Sequence, residues 1–303
     1  AANRGADVAE TVADRFGAHP VDLTAILKVH TRGKPVSPDV SLEEIARATP
    51  GFVGADIENL VNEAAILAAR RNKKIIERPE FEESIERVIA GPERKSRLIN
   101  PREKRIIAYH EAGHAVVINA LPEGDPVQKV SIISRGMMGG FTRALPTEDL
   151  SLESRKKLFA NMVSMLGGRA AEEIMFDDIT SGASSDIERV TKLARSMVTR
   201  LGMSEKLGPM VYGQKEEMVF LGREISEQRD YSEAVAQEID REVQSAVSEA
   251  YKTAKEILEK YKDKLIAVAE RLLEVETISN KEFEAIFPPP VEKNQGIPAI
   301  IAE

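Results

Sequence analysis

The sequence predicts a mainly α-helical protein with a small β-hairpin or sheet. Its 303 residues include no tryptophan and only 5% aromatic residues, and strong helix formers such as Ala, Glu, Lys, Arg and Leu are abundant. Apolar residues recur at helical spacing over most of the chain, whereas strand-like alternation is confined to one short region. A chain of this length can form two domains, each with its own core.

Composition excludes several classes of protein. The net charge of -8 and the pI near 5.4 provide no basic surface, so nucleic acid is not an expected partner. The absence of cysteine excludes disulfides and cysteine-ligated zinc, and it is consistent with a reducing compartment. The sequence shows no run of 18 apolar residues and no signal-peptide pattern. We therefore expect this chain to be soluble.

Residues 20–90 are predicted to form a small helical domain. Its first helix runs from Leu23 to His30, and a capping box from Ser41 to Glu44 opens the second. A strongly amphipathic helix follows from Ala55 to Arg71, and Pro79 begins a fourth helix that ends near Ile89. Four short helices of this kind can enclose a small core.

Residues 91–102 are predicted to be a linker. The segment GPERKSRLINP is bracketed by prolines and rich in charge. Arg94, Lys95 and Arg97 could also be taken for a phosphate-binding cluster. Charges between two prolines are more typical of a solvated connection, which we favour.

The segment from Glu103 to Leu121 predicts a helix that carries the motif H-E-x-x-H. His110 and His114 are four residues apart and therefore lie on one helical face, where both imidazoles can reach one metal ion. Glu111 lies close enough to act on a water molecule at that ion. The motif indicates metal-assisted hydrolysis; the alternative is two ordinary polar positions on a buried helix.

A short β region is predicted after this helix. Residues 127–134 alternate as a strand, residues 135–140 form a flexible turn, and residues 141–145 can return as a second strand. An open strand edge near a hydrolytic metal can hold a peptide in extended form. A purely structural hairpin explains the pattern equally well.

The second half of the chain is predicted to be helical and to end in a disordered tail. The expected elements are helices at 154–167 and 169–176 interrupted by Gly167-Gly168, helices at 186–201, 232–259 and 262–275, a short helix to Phe287 opened by a capping box at Ser279, and a tail at 288–303.

A hydrolytic zinc needs a third protein ligand and an open position for water. His19 and His30 lie in the other predicted domain, so a carboxylate must serve. Glu172, Glu173 and Asp186 are the candidates, and spacing does not choose among them. The glutamates could be exposed helix residues, and Asp186 could be a first-turn acid that complements the helix dipole.

From about Ile26 to Phe287 the chain resembles the FtsH family of ATP-dependent, membrane-anchored zinc metalloproteases. The motifs that carry the resemblance are ILKVH at 26–30, TPGFVGADIENLVNEAA at 49–65, AYHEAGHAVV at 108–117, LGGRAAEEI at 166–174 and TSGASSDIERVTKLARSMVTRLGMSEKLGP at 180–209. The resemblance implies that residues 20–90 form the helical lid subdomain of an AAA+ ATPase. It also implies that residues 103–287 form a mostly helical, zincin-type peptidase domain.

The resemblance implies a complete catalytic site with one zinc per chain. The metal ligands would be His110, His114 and Asp186, and Glu111 would be the general base, so that Glu172 and Glu173 become structural. The substrate-aligning edge strand would comprise Met138, Gly139, Gly140, Phe141 and Thr142.

The resemblance also implies the biological setting. The enzyme would be a zinc endopeptidase that degrades unfolded or membrane proteins fed to it by an AAA+ ATPase, and its partners would be five further copies in a homo-hexamer. The full-length protein would be anchored in the cytoplasmic membrane, with these domains facing the cytoplasm.

The ATPase part of the family pattern is missing from this sequence. A phosphate-binding loop of the form G-x-x-x-x-G-K-[ST] does not occur, so residues 1–19 are interpreted as the remnant of a truncated AAA+ core. Gly54 and Ala55 resemble positions that line the adenine site, and ATP with Mg²⁺ would be cofactors of the full-length protein. This chain alone is expected to bind nucleotide weakly and not to hydrolyse ATP. A nucleotide titration that shows micromolar affinity would contradict this expectation.

Two other functions remain compatible with the residues. One is a helical assembly or adaptor module without catalysis, which the zinc content per chain distinguishes from an enzyme. The other is a metallohydrolase acting on a non-peptide substrate, which an assay with an unfolded protein distinguishes from a protease.

Overall fold

The computed structural model describes residues 22–49, 51–91, 100–134, 139–145, 152–213 and 230–293. The chain divides into two compact units, 1–93 and 94–303, and each is described by itself. The predicted remnant at 1–19 and most of the predicted linker lie outside the described residues. Of that linker, the described residues Pro101 and Arg102 already belong to the following helix.

The first unit contains the four predicted helices. They are α1 (Leu23–His30), α2 (Leu42–Arg47), α3 (Gly54–Arg70) and α4 (Arg78–Ala90). Local caps set where they begin, since the Asp22 side chain accepts from two backbone N–H groups of α1 and the Ser41 hydroxyl accepts from Glu44 N. The buried side of α3 packs against α1 and α4, and the core residues include Leu27, Ile57, Leu60, Val61, Phe81 and Ile85.

The second unit is built around one buried helix. Its elements are α5 (Pro101–Ala120), β1 (Val127–Ser131), β2 (Phe141–Ala144), α6 (Arg155–Phe176), α7 (Ser184–Thr199), α8 (Glu233–Lys260), α9 (Lys262–Val275), β3 (Thr277–Ser279) and α10 (Asn280–Ile286). Helix α5 packs against α6, α8, α9, β1 and β2, so that most of its second half is buried. The motif H-E-x-x-H therefore lies in the interior of this unit.

The β region is a three-stranded antiparallel sheet in the order β2-β1-β3. The predicted hairpin of β1 and β2 is confirmed, although β1 ends at Ser131 and not at Ser134. Val130 pairs with Thr142 on one side and with Ile278 on the other. Strand β3 was not predicted, because three residues between two helices are too short to show an alternating pattern.

The predicted interruption at Gly167-Gly168 is wrong, because α6 is one continuous helix. These glycines serve close packing against α5. A Cβ atom at Gly167 would lie 2.8 Å from the carbonyl oxygen of Gly113, and one at Gly113 would lie 2.5 Å from the carbonyl oxygen of Gly167. A Cβ atom at Gly168 would lie 2.4 Å from Nε2 of His110. The three glycines thus allow the backbones of α5 and α6 to meet.

The predicted disordered tail at 288–303 is described over its first six residues, and residues 294–303 lie outside the described part of the chain. The Lys293 ammonium donates to three carbonyl oxygens at the end of α5, those of Ile118, Asn119 and Leu121, at 3.0, 2.8 and 3.0 Å. The last carbonyls of a helix lack partners within the helix, and a cation there also complements the helix dipole. A cap from a residue so distant in sequence leaves no local pattern to detect.

Within the described ranges, no helix combines the length and the apolar character required to cross a lipid bilayer.

Replacing Gly167 with alanine tests the close contact between α5 and α6. In a helix without close neighbours alanine is more stable than glycine by about 1 kcal/mol. Here the added methyl group overlaps the α5 backbone, so we expect the free energy of unfolding to fall by about 2–3 kcal/mol. Urea unfolding measures the change. Gly54→Ala is the control for a helical glycine with room for a methyl group, because an added Cβ there meets no atom within 4 Å, so its free energy of unfolding should not fall. A Gly167→Ala protein as stable as the parent would show that the helices do not meet here.

Candidate metal centre

Two histidines on α5 point their Nε2 atoms at the same place. His110 and His114 are one helical turn apart, and their Nε2 atoms are 3.1 Å apart. The Asn100 side chain caps the start of this helix, and Pro101 occupies its first turn, where a missing N–H costs nothing. Both rings are largely shielded from water, with side-chain exposures of 11% and 12%.

Helix α6 holds the other nitrogen of each imidazole. His110 Nδ1 donates to Oε1 of Glu172 at 2.6 Å, and His114 Nδ1 donates to the carbonyl oxygen of Ser164 at 2.8 Å. Both partners are acceptors, so they assign the proton of each neutral ring to Nδ1. The lone pairs of both Nε2 atoms are then available to a metal ion.

Asp186 completes the cluster from a different helix. It lies in the first turn of α7, and its Oδ2 is 3.4 Å from Nε2 of both histidines. Thr180 caps the short 3₁₀ turn (Ser181–Ala183) before α7, and its backbone N–H donates to Oε2 of Glu172 at 2.7 Å. Glu172 therefore joins His110 to the loop that carries Asp186.

The donor set fits a divalent metal ion. One ligand atom from each of His110, His114 and Asp186 lies within 4.8 Å of the others, and no other cluster of this kind occurs within the described ranges. Two imidazole lone pairs and a carboxylate that face one another repel unless a positive charge lies between them. Two nitrogens and one oxygen, with a position left for water, match the ligand set of hydrolytic zinc.

The electrostatics of these side chains also favour a positive charge between them. Burial lowers the pKa of His110, but the hydrogen bonds to Asp186 and Glu172 outweigh burial and raise this pKa to about 10. Burial raises the pKa of Asp186, yet the two histidines outweigh it and hold this pKa well below its usual range. A metal ion entering the site replaces the proton on the histidine.

Glu111 is buried beside this cluster. Burial raises the pKa of its carboxyl group above the ordinary value. Its Oε2 accepts a hydrogen bond of 2.9 Å from the Thr142 hydroxyl on β2. A Cβ atom at Gly140 would lie 2.9 Å from both Cγ and Oε1 of Glu111, so the chain just before β2 also covers the carboxylate.

The structure brings together the predicted ligands and the predicted base, and it separates the other carboxylate candidates from them. Glu172 contacts the outer nitrogen of His110, whereas Glu173 binds Lys255 at 2.8 Å and the Tyr251 hydroxyl on the far side of α6. Sequence reasoning missed the contact of Glu172 with His110. The sequence signal that could have indicated this contact is the spacing of Glu172, four residues after Gly168 on the same helical face. Gly168 leaves room for the His110 ring, and Glu172 contacts the same ring one turn later.

The other predicted site residues are those of the substrate strand and of the adenine site. Phe141 and Thr142 belong to β2 at one edge of the sheet, and Gly139 and Gly140 directly precede it. Met138 lies outside the described residues. Gly54 and Ala55 begin α3 in the first unit.

A helix that carries two histidines and a glutamate, joined by an aspartate from a second helix, is typical of metal-dependent hydrolases. The sequence model of Peptidase family M41 matches residues 97–286, and that of the AAA+ lid domain matches residues 39–83. The first match covers more than half of the chain, so the chain belongs to Peptidase family M41. The predicted resemblance to FtsH proteins is confirmed by the relatives.

Three bacterial relatives illustrate the similarity. The chain is 58% identical over 281 residues to ATP-dependent zinc metalloprotease FtsH 1 of Thermomicrobium roseum, covering 93% of this chain and 43% of the relative. It is 59% identical over 271 residues to the protein of that name in Sphaerobacter thermophilus, covering 89% and 42%. It is 57% identical over 269 residues to ATP-dependent zinc metalloprotease FtsH of Thermotoga maritima, covering 88% and 44%. The chain thus spans less than half the length of these relatives.

Substituting Asp186 and Glu172 one at a time distinguishes a residue that binds the metal from one that orients a metal ligand. Asp186→Asn removes a charged ligand and should lower zinc affinity more than Glu172→Gln. The glutamine loses the charged acceptor for His110, and affinity should fall by about tenfold to a hundredfold. Competition with a chelator measures both constants. Glu188→Gln is the control on α7, where an exposed glutamate pairs with Lys192, and it should leave affinity unchanged. A Glu172→Gln protein that loses more affinity than Asp186→Asn would reverse the assignment.

Proposed function

We propose that this chain is the peptidase portion of an ATP-dependent zinc protease. The observation that carries the proposal is the convergence of His110, His114 and Asp186 next to the buried carboxyl group of Glu111. The relatives named as zinc metalloproteases support it, because their similarity covers both units of the chain. The reaction would be hydrolysis of internal peptide bonds.

His110 and His114 through Nε2, and Asp186 through a carboxylate oxygen, would hold one zinc ion. Zinc, when bound, supplies Lewis acidity that activates water and polarises a peptide carbonyl. Glu172 and the Ser164 carbonyl oxygen orient the two imidazoles toward the ion and fix their tautomers. The protein thus supplies a rigid site with two oriented nitrogens.

Glu111 would perform the proton transfers. Its carboxylate accepts a proton from the attacking water as the water oxygen bonds to the carbonyl carbon. The same proton then passes to the amide nitrogen and the C–N bond breaks. The second proton of the water passes from the new carboxylic acid to the amine, so the products are a carboxylate and an ammonium group. Burial raises the pKa of the Glu111 carboxyl group, which makes its carboxylate a better proton acceptor.

The predicted substrate strand, Met138 to Thr142, would align the peptide. Its support is the position of β2, which forms one edge of the sheet and touches Glu111 through Thr142. A peptide that adds to a sheet edge is held by backbone hydrogen bonds. We therefore expect preference for extended, unfolded segments, with little selection among side chains.

The remaining proposals concern a longer protein. The chain matches less than half the length of each named relative. Residues 20–90 would be the lid of an AAA+ ATPase, 91–102 a linker and 103–287 the peptidase domain, with 1–19 belonging to the ATPase core. ATP and Mg²⁺ would drive unfolded or membrane proteins into a homo-hexamer anchored in the cytoplasmic membrane. Gly54 and Ala55 would contribute to the adenine site. The match of residues 39–83 to an AAA+ lid domain supports this arrangement.

Loss of the Glu111 carboxylate tests the proposed chemistry. The zinc-loaded chain should cleave casein, and Glu111→Gln should slow cleavage by at least about a hundredfold while retaining one zinc per chain. Glu103→Gln is the control, because Glu103 is an exposed residue of the same helix, and its rate should equal that of the parent. A chain that binds zinc but cleaves no faster than Glu111→Gln would not be a peptidase. Failure to bind zinc at all would favour an assembly module.

A further inference from the structure

The Glu111 carboxylate is held by a strand as well as by its own helix. The Thr142 hydroxyl lies 2.9 Å from Oε2 of Glu111 and 3.0 Å from the main-chain carbonyl oxygen of the same residue. Both contacts join β2 to α5 beside the metal ligands. None of the proposed catalytic roles above uses this hydroxyl.

Thr142 is itself held firmly in place. It is half-buried and pairs with Val130, which lies on the central strand of the sheet. A β-branched side chain has few rotamers, so the direction of its hydroxyl is restricted. Gly140 lies against the other carboxylate oxygen, because a Cβ there would be 2.9 Å from Oε1. The chain around the start of β2 therefore contacts both oxygens of Glu111.

The Thr142 hydroxyl cannot donate its one proton to both Oε2 and the main-chain carbonyl oxygen of Glu111 at the same time. A threonine hydroxyl carries one proton and two acceptor lone pairs. When Glu111 is ionised, the stronger bond is to the charged Oε2. When Glu111 carries the proton taken from water, the hydroxyl can turn its own proton to the Glu111 carbonyl oxygen and accept from the carboxylic acid. Each protonation state thus finds a partner without movement of the carboxyl group.

We propose that Thr142 is a positioning residue that holds the Glu111 carboxyl group in place beside the metal ligands. The inference rests on the proposed function, since it assigns Thr142 to the same proton transfers. It also gives β2 a second purpose, because one strand then supports the base and aligns the peptide. Turnover would depend on this hydroxyl, whereas metal binding would not.

A second hydroxyl contact on the same sheet provides a matched control. The hydroxyls of Ser131 and Thr277 are 2.8 Å apart, and Ser131 also donates to the carbonyl oxygen of Glu276. Thr277 is half-buried, like Thr142. Thr277→Val therefore removes a hydrogen bond from a comparable setting without touching Glu111.

The experiment compares Thr142→Val, Thr142→Ser and Thr277→Val in the zinc-loaded chain, with a peptide substrate derived from casein. Thr142→Val should lower kcat by about tenfold to a hundredfold, as expected for losing a hydrogen bond to a charged group, with KM changed less than about twofold. Thr142→Ser keeps the hydroxyl and should stay within about threefold of the parent. Thr277→Val should keep kcat within about twofold. Zinc content should be equal in all of them.

Binding of leucine hydroxamate gives a readout that does not depend on turnover, because a hydroxamate binds zinc directly and can form a hydrogen bond to a correctly placed carboxylate beside the metal. Calorimetry should show an affinity about tenfold weaker for Thr142→Val than for the parent, and restored in Thr142→Ser. Equal affinities for the parent and Thr142→Val, or equal kcat for Thr142→Val and Thr277→Val, would overturn the positioning role. If the parent cleaves no faster than Glu111→Gln, the proposed function fails, and the hydroxamate affinities still decide the role of Thr142.

Discussion

The close contact between α5 and α6 is the constraint on which the metal centre depends. Glycine at positions 113, 167 and 168 lets the two backbones meet where any side chain would collide. At that separation the His110 ring lies over Gly168, and His114 reaches the carbonyl oxygen of Ser164. Both imidazoles are thereby held through Nδ1, and their Nε2 atoms are left 3.1 Å apart. A wider crossing would leave the histidines without their α6 partners and free to turn.

Separate parts of the unit hold the ligands and the base. Helix α6 orients the histidines, and Glu172 extends this support through Thr180 to the loop before Asp186. The sheet holds Glu111 through Thr142 on β2. Ligands and base can therefore be disturbed independently.

Local pattern predicted much of this structure, and tertiary contact accounts for what it missed. The helix of the H-E-x-x-H motif follows from its own spacing, and the hairpin of β1 and β2 follows from alternation. Spacing alone does not choose among Asp186, Glu172 and Glu173, and only the family resemblance favours Asp186, because the crossing of α6 and α7 determines which carboxylate faces the histidines. Gly167 was misinterpreted as a helix break for the same reason: its partner, Gly113, is on another helix. Its role is invisible to periodicity.

The coordination of zinc in the loaded chain tests the central claim most directly. Anomalous X-ray diffraction at the zinc edge should place the ion among Nε2 of His110, Nε2 of His114 and a carboxylate oxygen of Asp186, with metal–ligand distances of about 2.0–2.2 Å. Glu172 should remain bonded to Nδ1 of His110, outside the coordination sphere. Direct coordination by Glu172, with Asp186 turned away, or zinc bound away from α5, would contradict the account.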